Sequence, residues 1–178
     1  MSIRSFNQEV HILPKTVQVD VEKYKAQGYL TAPAVISDAY LAELRAEADR
    51  LMRLCGEEKE RYARRIEWEV DHLAKESRKG MDRVIRKLEP ISDLSPIFRD
   101  LAFSSQIAGP ISAIFGEPVE LFEDKLNLKL PGGSPYPWHQ DWVCCWRALG
   151  DPPIHPFLAL SGAVLAHRLP PGSPAGHL

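Results

Sequence analysis

Charge nearly vanishes from this chain after Trp142. The sequence holds 22 Lys and Arg and 24 Asp and Glu, yet beyond that tryptophan only Arg147, Asp151 and Arg168 remain. The same stretch, residues 143–178, carries Pro152, Pro153, Pro156, Pro170, Pro171 and Pro174 of the chain's 15 prolines. Residues 1–142 therefore read as mixed-charge helices and strands. Residues 143–178 read as Pro, Ala, Leu and Gly with scattered His. Two readings of the break stand side by side: a buried strand region with proline-rich loops, or a change in the reading frame, or in the selection on it, just after residue 142.

At 178 residues and 20.0 kDa the chain suits one domain, 1–178, with 143–178 as an atypical tail. That length buries a core without disulfides or metals as staples. A composition 44% hydrophobic and 26% charged excludes global disorder, collagen and coiled coil. The net charge of −2 leaves no basic excess to hold nucleic acid or an anionic membrane surface. The most apolar stretch, Phe157 to Ala166, is about half the ~20 residues a bilayer span needs, so no membrane partner is expected. The first residues, Met1 to Glu9, lack the apolar core of a secretory signal. Three cysteines, two of them the adjacent Cys144 and Cys145, do not make a disulfide framework, and a reducing cytoplasm is the expected location.

Hydrophobic spacing predicts a short helix over 20–28 stopped by Gly28, then an extended segment from Tyr29 to Val35. Ser37 is the expected N-cap of a helix that sets Leu41, Leu44, Ala48, Leu51, Met52 and Cys55 on one face and ends at Gly56. Residues 57–79 are charge-dense and helix-compatible, with Ile66, Val70 and Leu73 turned inward. Ser95-Pro96 opens another helix with Ile97, Phe98 and Leu101 toward the core. Ile107 to Phe115 forms a further one, with Pro110 in its first turn and Gly116 as its stop. Then the period changes. Leu126, Leu128 and Leu130 alternate with Lys125, Asn127 and Lys129, a half-buried strand, and Pro131 to Pro135 is a loop. Helices first and strands after argue for an α+β fold.

His139-Gln140-Asp141 carries the chemical content. Residues two apart on a strand point to one side, so His139 and Asp141 can reach a single metal ion while Gln140 points elsewhere. One imidazole and one carboxylate are two thirds of the 2-His-1-carboxylate triad that holds Fe(II) and leaves positions open for a cosubstrate and O₂. A His-x-Asp tripeptide is common by coincidence. Here it follows a strand and a Gly/Pro loop, with Tyr136, Trp138 and Trp142 around it.

Four stretches together resemble the phytanoyl-CoA dioxygenase family of Fe(II)- and 2-oxoglutarate-dependent oxygenases. They are Tyr24–Val35 with the helix after Ser37; Arg86–Ser92 running on through residues 95–119; Leu121–Gly133; and Pro137–Trp142. The resemblance covers roughly residues 20–142. It implies a double-stranded β-helix, a cupin-like jelly roll, with N-terminal helices outside it. It implies Fe(II) held by His139 and Asp141, 2-oxoglutarate as cosubstrate, and hydroxylation of a C–H bond in a small-molecule substrate. Lys87 aligns with a position that contacts 2-oxoglutarate in relatives; a surface lysine is the plain alternative. Gln140 fits a cosubstrate contact or a group orienting a ligand. Lys125 and Asn127 stand on the polar face of the strand, lining the site or simply solvated.

The tail departs from the pattern. Ser161–Leu165 and Pro171-Gly172-Ser173-Pro174 echo the segment that carries the distal metal His, but Pro174 stands in the His position, and no Arg for the far carboxylate of 2-oxoglutarate follows it. His155, His167 and His177 are weak substitutes, and adjacent cysteines do not match zinc spacing. The barrel is therefore expected to be incomplete. Three readings result: an Fe(II)/2-oxoglutarate oxygenase, a truncated or frame-shifted non-catalytic remnant of one, or a ligand-binding module on the same scaffold. Translating the encoding DNA in all three frames from the His139 codon onward discriminates the first two. A frame that restores a turn ending in His, then an Arg, marks a frame error in a longer oxygenase; no such frame favours the remnant.

Overall fold

The computed structural model describes residues 18–32, 35–128 and 133–137. They fall into two units. One holds the described residues up to Leu51 together with Ile91–Leu121; the other holds Met52–Pro90 and the described residues from Phe122 onward. Helix α2 runs from the first into the second.

The first unit is helical. Helix α1, Val21–Gln27, begins where the Asp20 carboxylate accepts the N–H of Lys23 at 2.9 Å and stops at Gly28, whose φ of 79° is the left-handed conformation that costs glycine least. Helix α2, Asp38–Glu57, starts at Ser37, whose hydroxyl accepts the Tyr40 N–H at 3.2 Å. Tyr40, Leu44, Leu51 and Cys55 are its buried residues, at the spacing that stacks side chains on one helix face. Helix α3, Pro96–Ala102, has Ser95 as N-cap and proline at its first position, as expected. Helix α4 is Ser105–Phe115, closed by Gly116 at φ 76°. Tyr40, Leu44 and Leu101 form a core with Ile36, Ile97, Phe98 and Ile107 packed against it. The Tyr40 hydroxyl donates to the Ile97 carbonyl at 3.0 Å, so its buried polar tip is satisfied. Burial first, then the charges of Asp100 and Glu43, push that hydroxyl's pKa up to about 12.

The second unit carries a three-stranded antiparallel sheet in the order β1-β2-β3: β1 is Ile66–Trp68, β2 is Ile85–Leu88 and β3 is Leu126–Asn127. Ile66 faces Leu88, Glu67 faces Lys87 and Trp68 faces Ile85, with an irregularity between Glu67 and Trp68. On the other side Lys87 faces Asn127 and Leu88 faces Leu126. Central strand β2 is the most buried, with Ile85, Arg86 and Leu88 inside.

Four expectations need correction. Residues 57–79 are not a helix: past Glu57 the chain turns through Glu58–Arg65, forms β1, and continues as 3₁₀ turns at Glu69–His72 and Lys75–Ser77. Pairing with β2 overrides the helix propensity of its Glu, Lys and Arg residues. Ile66, Val70 and Leu73 are half-buried all the same. Strands therefore precede α3 and α4 rather than following all helices, and Gly56 lies inside α2 rather than ending it. Pro110 sits inside α4 rather than in its first turn, because the helix begins at Ser105. The expected strand is present as Leu126–Asn127, with Leu126 half-buried and Asn127 exposed; Lys129 and Leu130 lie outside the described residues.

Leu88 is fully buried at the centre of the sheet. Leu88→Ala is expected to lower unfolding free energy by about 2–5 kcal/mol, from lost transfer energy plus the cavity left behind. Urea denaturation followed by far-UV circular dichroism measures it.

Candidate active site

The irregularity in β1 leaves Arg86 without a paired residue in that strand. Glu67 and Glu69 both reach it instead. Arg86 and Glu69 are 3% and 1% exposed, so charge and countercharge are buried together. Arg86 Nη1 lies 3.1 Å from Glu69 Oε1, and Nε lies 3.1 Å from Glu67 Oε1. The second of these is an ion pair only, because Nε has no aligned hydrogen bond among the described residues.

The pair also grips the loop before the His-x-Asp motif. Arg86 Nη1 donates to the Ser134 carbonyl at 2.9 Å and to the Ser134 hydroxyl, and Nη2 donates to the Pro135 carbonyl at 3.1 Å. The Glu69 carboxylate accepts from both the backbone N–H and the hydroxyl of Ser134. The ring of Tyr136 covers the guanidinium at 3.8 Å, a cation–π contact. Burial works against the Glu69 carboxylate, but the bonds from Ser134 and the charge of Arg86 outweigh it and hold its pKa below the ordinary carboxylate value.

A second cluster joins all three strands. Lys87 Nζ lies 2.9 Å from Glu67 Oε2 and 2.8 Å from Glu89 Oε2, and His72 Nε2 lies 2.9 Å from Glu67 Oε1. Burial disfavours the Lys87 ammonium, yet the hydrogen bonds to Glu89 and Glu67 prevail and raise its pKa. Lys125 pairs with Glu123, and burial again opposes but does not overcome the upward shift. Asn127, the register partner of Lys87, accepts the Tyr136 hydroxyl at 3.4 Å.

Of the sequence-predicted site residues, the structure thus brings Lys87 and Asn127 together across β2 and β3. Lys87 is a strand lysine held by two carboxylates, and a cosubstrate carboxylate would have to replace one of them at Nζ. His139, Asp141 and Gln140 lie outside the described residues, as does the whole tail 143–178. No group of three or more His, Cys, Asp or Glu poised for a metal occurs among the described residues. Sequence reasoning missed the Arg86–Glu69 pair. Its one signal was an arginine inside the apolar-flanked run Val84–Leu88.

The phytanoyl-CoA dioxygenase (PhyH) family model matches residues 24–158. The chain belongs to the phytanoyl-CoA dioxygenase family. That family has a cupin-like fold, and the described residues contribute helices and a small antiparallel sheet that is not closed. The match continues past Trp142, so the family likeness outlasts the loss of charge. Relatives include an ectoine dioxygenase of Streptomyces avermitilis, 26% identical over 134 residues, 72% of this chain and 39% of that protein. A 2-aminoethylphosphonate dioxygenase of an uncultured bacterium is 32% identical over 60 residues, 34% of this chain and 23% of that protein. A probable alpha-ketoglutarate-dependent hypophosphite dioxygenase of Stutzerimonas stutzeri is 31% identical over 61 residues, 34% of this chain and 21% of that protein. The chain thus spans well under half the length of the curated relatives it matches. No solved structure matches it. Among the described residues no helix is long and apolar enough to cross a membrane.

The lowered pKa of Glu69 sets a pH dependence. A carboxylate whose folded pKa lies below its unfolded value, about 4.3, stabilises the fold fully above that value and loses the contribution as pH falls through the folded one. Glu89 shifts the same way, with burial opposing and Lys87 prevailing. Stability in urea is expected to fall in acid below about pH 5. Glu69→Gln is expected to be less stable at neutral pH with a shallower acid limb; an unchanged acid slope would contradict the assignment.

Proposed function

We propose that the chain is the metal-binding portion of an Fe(II)- and 2-oxoglutarate-dependent oxygenase acting on a small molecule. Membership of the phytanoyl-CoA dioxygenase family over residues 24–158, a span that includes His139 and Asp141, carries this reading. Relatives named for ectoine, aminoethylphosphonate and hypophosphite support a small polar substrate. The jelly roll of the family is the proposed completion of the sheet, in one domain over 1–178. The odd cysteine count favours a reducing cytoplasm.

His139 and Asp141 would hold the iron, one nitrogen and one carboxylate donor of the type Fe(II) oxygenases use. When bound, Fe(II) with 2-oxoglutarate supplies oxidation of an unactivated C–H bond coupled to oxidative decarboxylation of the cosubstrate. The chain's own residues bind and orient. Lys87 would take a carboxylate of 2-oxoglutarate by exchanging it for Glu67 or Glu89. Asn127 across the strand, Lys125 and Gln140 would complete the polar wall around the cosubstrate.

Pro174 favours a second reading. Proline has no side-chain donor, so the distal ligand position of the family pattern is empty of chemistry, and the chain is then a non-catalytic member of the fold. Succinate formation from 2-oxoglutarate separates the two. The first reading expects succinate that requires added Fe(II) and drops to background in His139→Ala and Asp141→Ala. The second expects none from the wild-type chain under any substrate.

A further inference from the structure

Where the last turn of α2 meets the end of β1 and the start of β2, the second unit holds a cavity of about 420 Å³. Trp68 and Val70 give it an apolar wall. Glu57 and Asp82 bring negative charge to it, and Lys59 and Arg83 bring positive charge. A few charged groups beside an aromatic wall, around a space of this size, are what small-molecule sites are made of. The charges are not used up by the fold. Glu57, Asp82 and Arg83 enter no ion pair among the described residues, and Lys59 approaches Glu60 only to 3.9 Å.

Gly56 supplies the second observation. It lies in the last turn of α2 and lines the same cavity. Its φ is not in the left-handed range, so the backbone does not require glycine there. A Cβ would meet only the tip of Ile85, at 4.0 Å, an ordinary van der Waals contact. Ile85 is the register partner of Trp68. Glycine is a poor helix former, and alanine fits this site without a clash. What its missing side chain does is leave space open beside the Trp68 wall.

We infer that this cavity binds a small zwitterion, an organic molecule with an ammonium group at one end and a carboxylate or similar anion at the other. The ammonium would lie against the indole of Trp68, a cation–π contact, with Asp82 and Glu57 as counter-charges. Arg83 would take the anionic end through its planar fork, with Lys59 beside it. The cavity carries two charges of each sign, so a ligand of net charge zero leaves it balanced. The inference is independent of the oxygenase reading, because no residue of that reading lines the cavity.

The test is isothermal titration calorimetry of the full chain with 4-aminobutyrate, butylamine and butyrate. These share one chain length and differ only in which end is charged. 4-Aminobutyrate is expected to bind about 3–5-fold more tightly than either single-charge compound, the upper scale of exposed charge pairs. Arg83→Gln should bring 4-aminobutyrate down to the affinity of butylamine. Asp82→Asn should weaken butylamine and not weaken butyrate. Gly56→Leu fills the space with a better helix former, so it should abolish binding of all three while keeping the circular dichroism and Tm of wild type. If that variant fails to fold, the two exposed variants at Asp82 and Arg83 decide alone. No binding of 4-aminobutyrate to the wild-type chain overturns the inference. So does wild-type affinity in a folded Gly56→Leu variant, which puts the binding elsewhere. Equal affinity for butylamine or butyrate and 4-aminobutyrate overturns the zwitterion assignment.

Discussion

Burying a guanidinium and a carboxylate removes both from water, at several kcal/mol per ion in proteins of ordinary flexibility. The second unit accepts that cost at Arg86 and Glu69, and much of its local order follows. Their attraction offsets the cost only while the remaining polar atoms are also matched, and the matches come from a distant part of the chain: the Ser134 hydroxyl and backbone, and the Pro135 carbonyl. If the loop left, the pair would lose its hydrogen bonds. If the pair broke, the loop would lose its anchor. Neither half is stable as built without the other, so the loop before the His-x-Asp motif is tied to the central strand of the sheet.

The pair also guards register. Side chains alternate along a strand, so a slip of one residue exchanges the faces of Arg86 and Lys87. Lys87 would then enter the space of a fork with several fixed acceptors. The two cations are not interchangeable there. Arg86 satisfies several acceptors from one plane, whereas Lys87 is a point charge between Glu67 and Glu89. Glu67 touches both clusters, one oxygen toward Arg86 and the other toward Lys87. A ligand that drew Lys87 away would therefore change the charge felt at Arg86 through one shared carboxylate.

Local rules made the helical unit legible. Asp20, Ser37 and Ser95 start helices, Gly28 and Gly116 stop them, and the stripe from Leu44 through Leu51 to Cys55 is the buried face of α2. These signals act within a few residues, so a linear reading finds them. The strand pairing was not legible. Glu69 sits in a stretch of Glu, Lys and Arg whose composition matches a solvated helix, and only the approach of Arg86, 17 positions on, reveals it as buried. The alternation at Leu126 was visible because β3 is half-exposed; β1 was hidden because it lies in that charged stretch, directly before the buried Glu69. Of the candidate site, Asn127 was read as a strand residue, whereas its register partner Lys87 was singled out only through the family resemblance, and Arg86, which grips the loop at Ser134, was passed over.

The support for the metal pair and the objection to the third ligand come from different stretches. His139 and Asp141 lie within the family match, which ends at residue 158; Pro174 lies beyond it. The loss of charge after Trp142 precedes the end of the family match at residue 158. The departure at Pro174 falls in the turn that carries the distal His in the family pattern. A proline there offers a backbone carbonyl and nothing else, a far poorer donor for iron than imidazole. On the oxygenase reading, competence therefore turns on whether another nitrogen reaches the metal.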